Sequence, residues 1–254
     1  MTDWRIVHMP WTEIARRLHG SDPPPILVPL GAIEAHGPHL PLDTDTLIAE
    51  ALSAEIVHVF RETHGLETLV GPAVPVSAAS WAASFPGTVS LSFEAARAVL
   101  ADAVKSMARS GAKQLGLVNL HFDPEHMRAV REVVKTTQAG GLKGLLFPDF
   151  TRKAVAARIG GEFASGACHG GMFETSLVLA SRPELVRPTF RSLEPRDVNL
   201  AEAIRSGKKS FEEVGLKEAY CGNPALATPE EGRRLYRLLA EIFVEEAVAA
   251  WKGP

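Results

Sequence analysis

Short apolar segments alternate with amphipathic ones along most of this chain. Residues 26–30 (ILVPL) lie between a proline cluster and a polar loop, a pattern typical of a buried strand. In residues 44–60 the apolar side chains recur at helical spacing. Residues 115–123 and 125–138 repeat this order of strand and helix. The alternation predicts an α/β fold, a three-layer α/β/α sandwich with a mostly parallel central sheet.

Further elements are predicted between and after these segments. Residues 93–110 read as an amphipathic helix and residues 144–147 as a strand. Residues 69–76 read as an irregular or edge strand, because two prolines interrupt the apolar run. The segment 174–180 is too short for its periodicity to decide between helix and strand. No repeat, low-complexity tract or linker divides the chain, so we expect residues 1–254 to form a single domain.

Charge and composition argue against several classes of partner. The formal net charge is −3, and the Lys and Arg residues are scattered, so no basic surface for nucleic acid or an anionic membrane is expected. No stretch approaches the roughly 20 apolar residues that a membrane-spanning helix needs. Hydrophobic residues make up 46% of the chain, enough to fill a large core. The expected partner is a small molecule.

Cysteine content and the N-terminal segment bear on the compartment. Cys168 and Cys221 are the only cysteines and lie far apart in sequence, which argues against a disulfide framework. The first residues carry charges and lack the run of roughly 7–15 apolar residues found in a signal peptide. These features predict a cytoplasmic protein.

The densest group of metal-ligating residue types lies in the segment GAIEAHGPHLPLDTDT. Within twelve positions it contains Glu34, His36, His39, Asp43 and Asp45. Imidazole and carboxylate ligands suit zinc, manganese or iron. In an extended segment Glu34 and His36 point the same way, because side chains alternate with period two. The alternative is a solvated turn, which fits His39 and Asp43 best, unless these two orient the ligands.

A second group, NLHFDPEH, lies at the end of the predicted strand 115–123. Strand ends are where sites form in α/β proteins. His121 and Asp123 share a face if the chain stays extended, and they are candidates to complete a site begun by the first loop. The alternative for Asp123 and Glu125 is a helix N-terminus, where acidic side chains complement the helix dipole.

A third group, CHGGMFETS, combines reactive side chains with glycines. His169 and Glu174 flank the Gly-Gly pair and are candidates for a proton shuttle or an extra metal ligand. Cys168 precedes them, but no sequence feature indicates a base that would activate its thiol. A buried thiol is therefore favoured over a nucleophile.

Together, five ordered blocks of the sequence resemble the creatininase family of metal-dependent amidohydrolases. These blocks span nearly the whole chain and are LGAIEAHGPHLPLDTDT, SFPGTVSLS, VNLHFD, HGGMFETSLVLA and GNPALATPEEG. The resemblance implies an α/β/α fold, commonly assembled as a homo-oligomer with six copies. It also implies a centre of two divalent metal ions (Zn, Mn or Fe) that activates water to hydrolyse the C–N bond of a cyclic or linear amide.

The resemblance assigns the metal ligands one position at a time. The family's Glu-x-His pair falls on Glu34 and His36, its bridging aspartate on Asp45, and its strand-end histidine on His121. These four residues form the predicted core of the metal centre.

The resemblance leaves two candidates for the remaining ligand of the second metal. Asp123 occupies the place of a family glutamate and has a shorter reach, whereas in other members a later glutamate, here Glu174, serves the metal. The family histidine of the third block falls on His169. This match implies that His169 donates a proton to the leaving nitrogen, with Glu174 orienting or assisting it.

The sequence departs from the family pattern where the substrate pocket is expected. Cys168 stands in the place of a glutamate in creatininase, and the asparagine that usually follows the strand-end histidine is absent. The loop at Trp81 lacks a histidine that many members have. The candidate pocket residues are Trp81, Phe122 and Cys168. These departures weigh against creatinine itself as the substrate.

The predicted function is thus metal-dependent hydrolysis of the C–N bond of a small amide. Within the family, the alternatives are a formamide deformylase, a peptidase and a lactam hydrolase. From other classes, a metal-dependent lyase or isomerase and a binding protein without turnover stay open. The sequence alone does not identify the substrate.

Overall fold

The computed structural model describes residues 4–251, and a parallel sheet of four strands lies at their centre. The strands are β1 (Ile26–Leu30), β2 (Leu69–Val70), β3 (Leu115–Asn119) and β4 (Leu145–Leu146), and they pair in the order β2-β1-β3-β4. β1 and β3 pair along their whole length, so that Leu30 lies opposite Asn119. The loops that follow these two strands therefore leave the sheet at the same edge.

Helices connect the strands and cover the sheet. The described α-helices are α1 (Trp11–Leu18), α2 (Thr44–His64), α3 (Phe93–Arg109), α4 (Pro124–Ala139), α5 (Lys153–Ile159), α6 (Gly161–Ser165), α7 (Met172–Ser181), α8 (Leu200–Arg205) and α9 (Pro229–Trp251). None of these helices is both long enough and apolar enough to cross a membrane.

Alternating strand residues divide the core into two layers. Leu27 and Val118 pack in an apolar cluster with α2, α7 and α9. Ile26 and Leu117 pack in a second cluster with α3 and α4. This division follows from the period of two along a strand, which turns neighbouring side chains to opposite faces of the sheet. The predicted three-layer α/β/α sandwich with a parallel sheet is confirmed.

Two predicted strands are shorter in the structure than in the prediction, and the structure decides one segment that the sequence left open. The strand predicted over 69–76 ends at Val70, and beyond it only Val74 forms an isolated bridge, to Leu30. Prolines at positions 72 and 75 have no N–H for a continuous ladder. β4 is shorter than the segment 144–147. The undecided segment 174–180 lies within α7 and is helical.

Two helix starts position side chains for the site. α2 begins directly after the loop from β1, which puts Asp45 in its first turn, fully buried. α4 begins at Pro124 and is capped by Asp123, whose side chain accepts hydrogen bonds from the backbone N–H groups of Glu125 and His126. Proline at the first helical position suits this start because its missing N–H would have no partner there.

Candidate metal centre

Four segments bring acidic and histidine side chains to one buried point. Glu34 and His36 lie in the loop after β1, and His121 lies just beyond β3. Asp45 comes from the first turn of α2 and Glu174 from the first turn of α7. Each of these five residues is at most 3% exposed. The structure thus brings together the four predicted core ligands and Glu174.

The two carboxylate oxygens of Asp45 face different partners. Oδ1 lies 3.3 Å from Nε2 of His36, and Oδ2 lies 3.0 Å from Nδ1 of His121. Glu34 Oε1 lies 3.0 Å from the same nitrogen of His121, and Glu174 Oε2 lies 3.6 Å from Nε2 of His36. Asp45 therefore belongs to two groups of potential ligands, each within 4.8 Å: Glu34, Asp45 and His121, and His36, Asp45 and Glu174.

Backbone carbonyl groups determine which nitrogen of each histidine faces the carboxylates. Nδ1 of His36 lies 3.1 Å from the carbonyl oxygen of Glu34, and Nε2 of His121 lies 2.7 Å from that of Ala78. A carbonyl oxygen only accepts, so these nitrogens carry the protons. The opposite nitrogens then present lone pairs to the carboxylates, as they do in histidines that ligate metals.

The polar atoms at the centre match a cation site. Nε2 of His36 and both carboxylate oxygens of Asp45 are buried without a hydrogen-bond partner. Buried polar atoms are nearly always paired, and a lone pair opposite a carboxylate oxygen is repulsive unless a cation or proton lies between them. Among the described residues, no lysine or arginine forms an ion pair with Glu34, Asp45 or Glu174. The donor set fits a divalent ion such as zinc or manganese.

The buried charges also shift each other's proton affinity. Burial alone would lower the pKa of His36, but the carboxylates of Asp45, Glu174 and Glu34 outweigh it and raise that pKa to about 10. Burial, reinforced by Asp45 and opposed by His36, raises the pKa of Glu174 to about 8. Without a cation, these ligands therefore hold protons in its place.

His169 lies beside the centre, between two aromatic rings. Its ring centroid is 4.3 Å from that of His36 and 4.4 Å from that of Phe211. Nε2 donates to the carbonyl oxygen of Ala35 at 2.9 Å, so Nδ1, 4.0 Å from Glu34 Oε1, is unprotonated. Burial, followed by the charge of His36, lowers the pKa of His169 well below its usual value. The resting ring is thus neutral and accepts a proton at Nδ1.

Glu174 also fixes the loop that carries His169. Its Oε2 accepts a 2.6 Å hydrogen bond from the backbone N–H of Gly170. Gly170 has a left-handed φ of 61°, and a Cβ there would lie 3.0 Å from Tyr220 and 3.2 Å from the backbone of His36. Glycine is favoured at this position because the left-handed backbone would strain another residue and a Cβ would be tightly packed against Tyr220 and His36.

The carboxylate of Asp123 forms its hydrogen bonds with residues outside both ligand groups. Oδ1 accepts from the backbone N–H of Glu125 at 2.9 Å, while Oδ2 accepts from Ser80 Oγ at 2.8 Å and from the backbone N–H of Trp81 at 3.1 Å. Asp123 is in none of the potential metal-binding groups of the described residues. Its contacts are those of a helix N-cap that also anchors the loop at Trp81.

An aromatic wall flanks His169. Phe211, which the sequence did not single out, is 3% exposed and packs against Trp81 at a centroid distance of 5.6 Å and against Phe85 at 6.4 Å. Its backbone N–H donates to the carbonyl oxygen of Trp81 at 3.2 Å. The only sequence signal was a lone aromatic residue in the polar stretch KKSFEEVG.

Four other predicted residues lie outside the two ligand groups. His39 is fully buried rather than solvated, with Nε2 2.8 Å from Thr175 Oγ1, and Asp43 precedes α2 at its N-cap. Phe122 packs in the core against another phenylalanine. Cys168 is half-buried, and burial raises the pKa of its thiol, so the sulfur stays protonated and poorly nucleophilic.

Comparison with known proteins identifies the family. A family model described as creatininase, creatinine amidohydrolase, matches residues 7–247. The chain belongs to the creatininase family. It is 34% identical over 242 residues to the mycofactocin precursor peptide peptidase of Mycobacterium ulcerans (strain Agy99), covering 91% of this chain and 87% of that protein. It is 29% identical over 191 residues to the creatinine amidohydrolase of Pseudomonas putida, covering 69% of this chain and 71% of that one.

Solved creatininase structures share the fold. A creatininase mutant of Zn-Zn type superposes with a TM-score of 0.73 and 20% identity over all of both chains. A manganese creatininase superposes with a TM-score of 0.71 and 21% identity, covering 99% of this chain and all of that one. The predicted family and fold are thus confirmed, and the chain is a creatininase-family amidohydrolase.

Proposed function

We propose that this amidohydrolase uses two divalent metal ions to hydrolyse a C–N amide bond, and that Asp45 would be the ligand common to both. The observation that carries the proposal is that both oxygens of Asp45 are buried without hydrogen bonds, one facing His36 and the other facing His121. One carboxylate that belongs to both ligand groups would let Asp45 contribute to the binding of both ions.

The residues divide into two ligand sets around Asp45. Glu34 and His121 would hold one ion with Asp45, and His36 and Glu174 would hold the other. When bound, zinc, manganese or iron supplies two kinds of chemistry: it lowers the pKa of water towards roughly 7 and stabilises negative charge on an amide oxygen. Glu174 rather than Asp123 completes the second set, because the Asp123 carboxylate is engaged by its cap and loop contacts.

His169 moves the proton in this proposal. Its neutral ring accepts a proton from the attacking water at Nδ1, while Nε2 stays bonded to the carbonyl oxygen of Ala35. The same Nδ1 then donates that proton to the leaving nitrogen, so the donor role predicted from the sequence follows an acceptor step. Glu174 orients His169 through its hydrogen bond to the backbone of Gly170.

The aromatic wall shields one face of His169 from water. Phe211 stacks on His169, whose ring also packs against His36, and Trp81 packs against Phe211 from behind. Phe122 and Cys168 stay predicted pocket residues: Phe122 packs against Phe163, and Cys168 is close enough to Glu174 for that carboxylate to raise the pKa of its thiol further. A substrate bound at the metal centre would lie near Phe211, because His169 contacts both His36 and Phe211.

A peptide is a second candidate substrate beside a small cyclic or linear amide. The supporting observation is the sequence identity with the mycofactocin precursor peptide peptidase, which is 34% and covers 91% of this chain. The identity with the creatinine amidohydrolase is 29% and covers 69% of this chain. We propose that creatinine is a poor substrate and that an open-chain amide or peptide is preferred. A homo-oligomeric assembly and a cytoplasmic location also stay predictions.

The proposal is tested with the metal-loaded protein in water enriched in oxygen-18. A panel of peptides, formamides, lactams and creatinine is offered, and the products are analysed by mass spectrometry. Incorporation of solvent oxygen into a new carboxylate supports hydrolysis. Turnover without such incorporation indicates a lyase or isomerase instead, and tight binding without turnover indicates a binding protein.

A further inference from the structure

Another buried histidine, His126, packs against the candidate metal ligand His121. His126, in the first turn of α4, is 3% exposed, and its ring centroid is 4.7 Å from that of His121. It belongs to none of the potential metal-binding groups among the described residues. Both of its ring nitrogens nevertheless have a buried polar partner: Ser77 Oγ lies 2.6 Å from Nδ1, and Asn119 Oδ1 lies 2.8 Å from Nε2.

The neighbouring hydrogen bonds show which atoms donate and which accept in the series Ser77–His126–Asn119. The side-chain amide nitrogen of Asn119 donates to the carbonyl oxygen of His121 at 2.8 Å, which turns its Oδ1 towards His126. An amide oxygen only accepts, so Nε2 of His126 is the donor and Nδ1 accepts from the hydroxyl of Ser77. The order is therefore Ser77 to His126 to Asn119, with each ring nitrogen in one definite role.

Both ends of this hydrogen-bonded series, Ser77 and Asn119, are linked to His121. At one end, Asn119 holds the backbone of His121 through the bond to its carbonyl oxygen and through a 3.3 Å bond from its N–H. At the other end, Ser77 immediately precedes Ala78, whose carbonyl oxygen accepts from Nε2 of His121 at 2.7 Å. That last bond makes Nδ1 of His121 the nitrogen that faces Glu34 and Asp45.

We propose that His126 is a positioning residue for the metal ligand His121. By linking Ser77 to Asn119, it holds the loop at Ala78 and the end of β3 at a fixed separation. This separation sets the ring orientation and the tautomer of His121. The inference rests on the proposed metal centre, because it concerns how tightly that centre binds an ion. Groups that orient metal-ligating histidines commonly change metal affinity by about 10–100-fold.

The competing interpretation is that His126 only fills the core. Such a role would lower the free energy of unfolding of the metal-free protein but would leave the metal affinity of folded molecules unchanged. A positioning role changes that affinity and the geometry of coordination. The two roles are therefore separated by measurements on folded protein, without any assay of turnover.

Three variants test the proposal on the full chain. His126→Phe keeps a ring of similar size and removes both hydrogen bonds. His126→Gln keeps a side-chain N–H for Asn119, and Ser77→Ala removes only one bond should the first variant fail to fold. Ser53→Ala is the matched control for the serine variant, since Ser53 is buried like Ser77 but its hydroxyl donates within α2, to the carbonyl oxygen of Ala49.

The measured quantities are the dissociation constant for Zn²⁺, by competition with a chelator, and the absorption spectrum of bound Co²⁺. We expect the dissociation constant for Zn²⁺ to rise about 10–100-fold in His126→Phe and by a smaller factor in Ser77→Ala. In His126→Gln part of the parent affinity should return, and the Co²⁺ spectrum of His126→Phe should differ from that of the parent. Unchanged constants and spectra in folded variants would overturn the positioning role. A parent protein that binds neither ion would overturn the proposed metal centre, and this inference with it.

Discussion

Nδ1 of His121 lies 3.0 Å from Oδ2 of Asp45, and that oxygen accepts no hydrogen bond although it is buried. The other oxygen of Asp45 faces His36 in the same unpaired state. The side chain of Asp45, in the first turn of α2, thus faces both His36 and His121. These two histidines follow the ends of the neighbouring strands β1 and β3. The arrangement makes Asp45 the residue on which both ligand groups depend.

Replacing Asp45 with Asn should abolish metal retention and reduce turnover by at least about a hundredfold. The amide removes the negative charge that the two ligand groups share. Metal content after gel filtration and initial rates are the measurements. Asp43→Asn makes the same chemical change two positions earlier, outside both groups, and should retain metal and activity. Normal metal content in the Asp45 variant would rule out its bridging role.

Replacing His169 with Ala should leave metal content unchanged and lower kcat by about 10²–10⁴-fold, the usual contribution of a proton-transferring side chain. Mass spectrometry of the bound metal and steady-state kinetics measure the two effects. Loss of metal in this variant would instead assign His169 as a ligand, since it lies near Glu34 and His36 in a third potential group.

The rate should depend on pH through the same residue. The pKa of His169 lies well below 6.5, and its neutral form is the one that accepts a proton. Activity should therefore persist as the pH falls through 6.5 and decline only under more acidic conditions, where the ring becomes protonated. A pH profile of kcat/KM checks this. An acidic decline centred above pH 7 would contradict a neutral His169.

Stability of the metal-free protein should fall as the pH rises from about 6.5 to 9. The folded-state pKa of His36 is raised from 6.5 to about 10 and that of Glu174 from 4.5 to about 8. A group whose pKa is higher in the folded state stabilises the fold at pH values below its pKa in the unfolded state. That stabilisation is lost as the pH rises through its pKa in the folded state. Thermal unfolding of chelator-treated protein at several pH values measures the trend.

The zinc-loaded protein is the control for this trend. A bound cation replaces the protons on the ligands, so its stabilising effect should grow over the same pH range. A melting temperature of the metal-free protein that stays level or rises between pH 6.5 and 9 would show that the ligands do not hold protons there.

Replacing Asp123 with Ala should destabilise the fold by about 2 kcal/mol while metal content is retained, because the carboxylate caps α4. It also anchors the loop at Ser80 and Trp81. Denaturant unfolding and metal analysis measure the two quantities. Glu174→Gln should show the opposite pattern, with metal lost. Metal loss in the Asp123 variant without a loss of stability would favour Asp123 as the ligand.

Much of the centre could be predicted because parallel strands end at a common edge. Apolar segments that run into polar residues identified the loops of Glu34, His36 and His121 from the sequence alone. The pairing of Leu30 with Asn119 then brings those loops together. The helical spacing after Thr44 likewise indicated that a helix starts near Thr44 or Asp45, and α2 begins at Thr44.

Other features depend on contacts that the sequence does not record. Asp123 and Glu174 are both carboxylates near candidate ligands in sequence, and only their contacts distinguish them: Glu174 lies 3.6 Å from His36, whereas Asp123 bonds to Ser80 and Trp81. Phe211 reaches His169 from a segment without periodicity. The segment 174–180 is helical because of its packing against α2 and α9, which local periodicity over seven residues cannot indicate.

The most direct test of the central proposal is the number of metal ions per folded chain. Protein purified without chelators is analysed by mass spectrometry of its metals, and stripped protein is titrated with Zn²⁺ and Mn²⁺. The shared carboxylate of Asp45 predicts two equivalents per chain, both lost in Asp45→Asn. A parent protein that holds no ion above background, even after titration with either metal, would contradict a metal-dependent amidohydrolase.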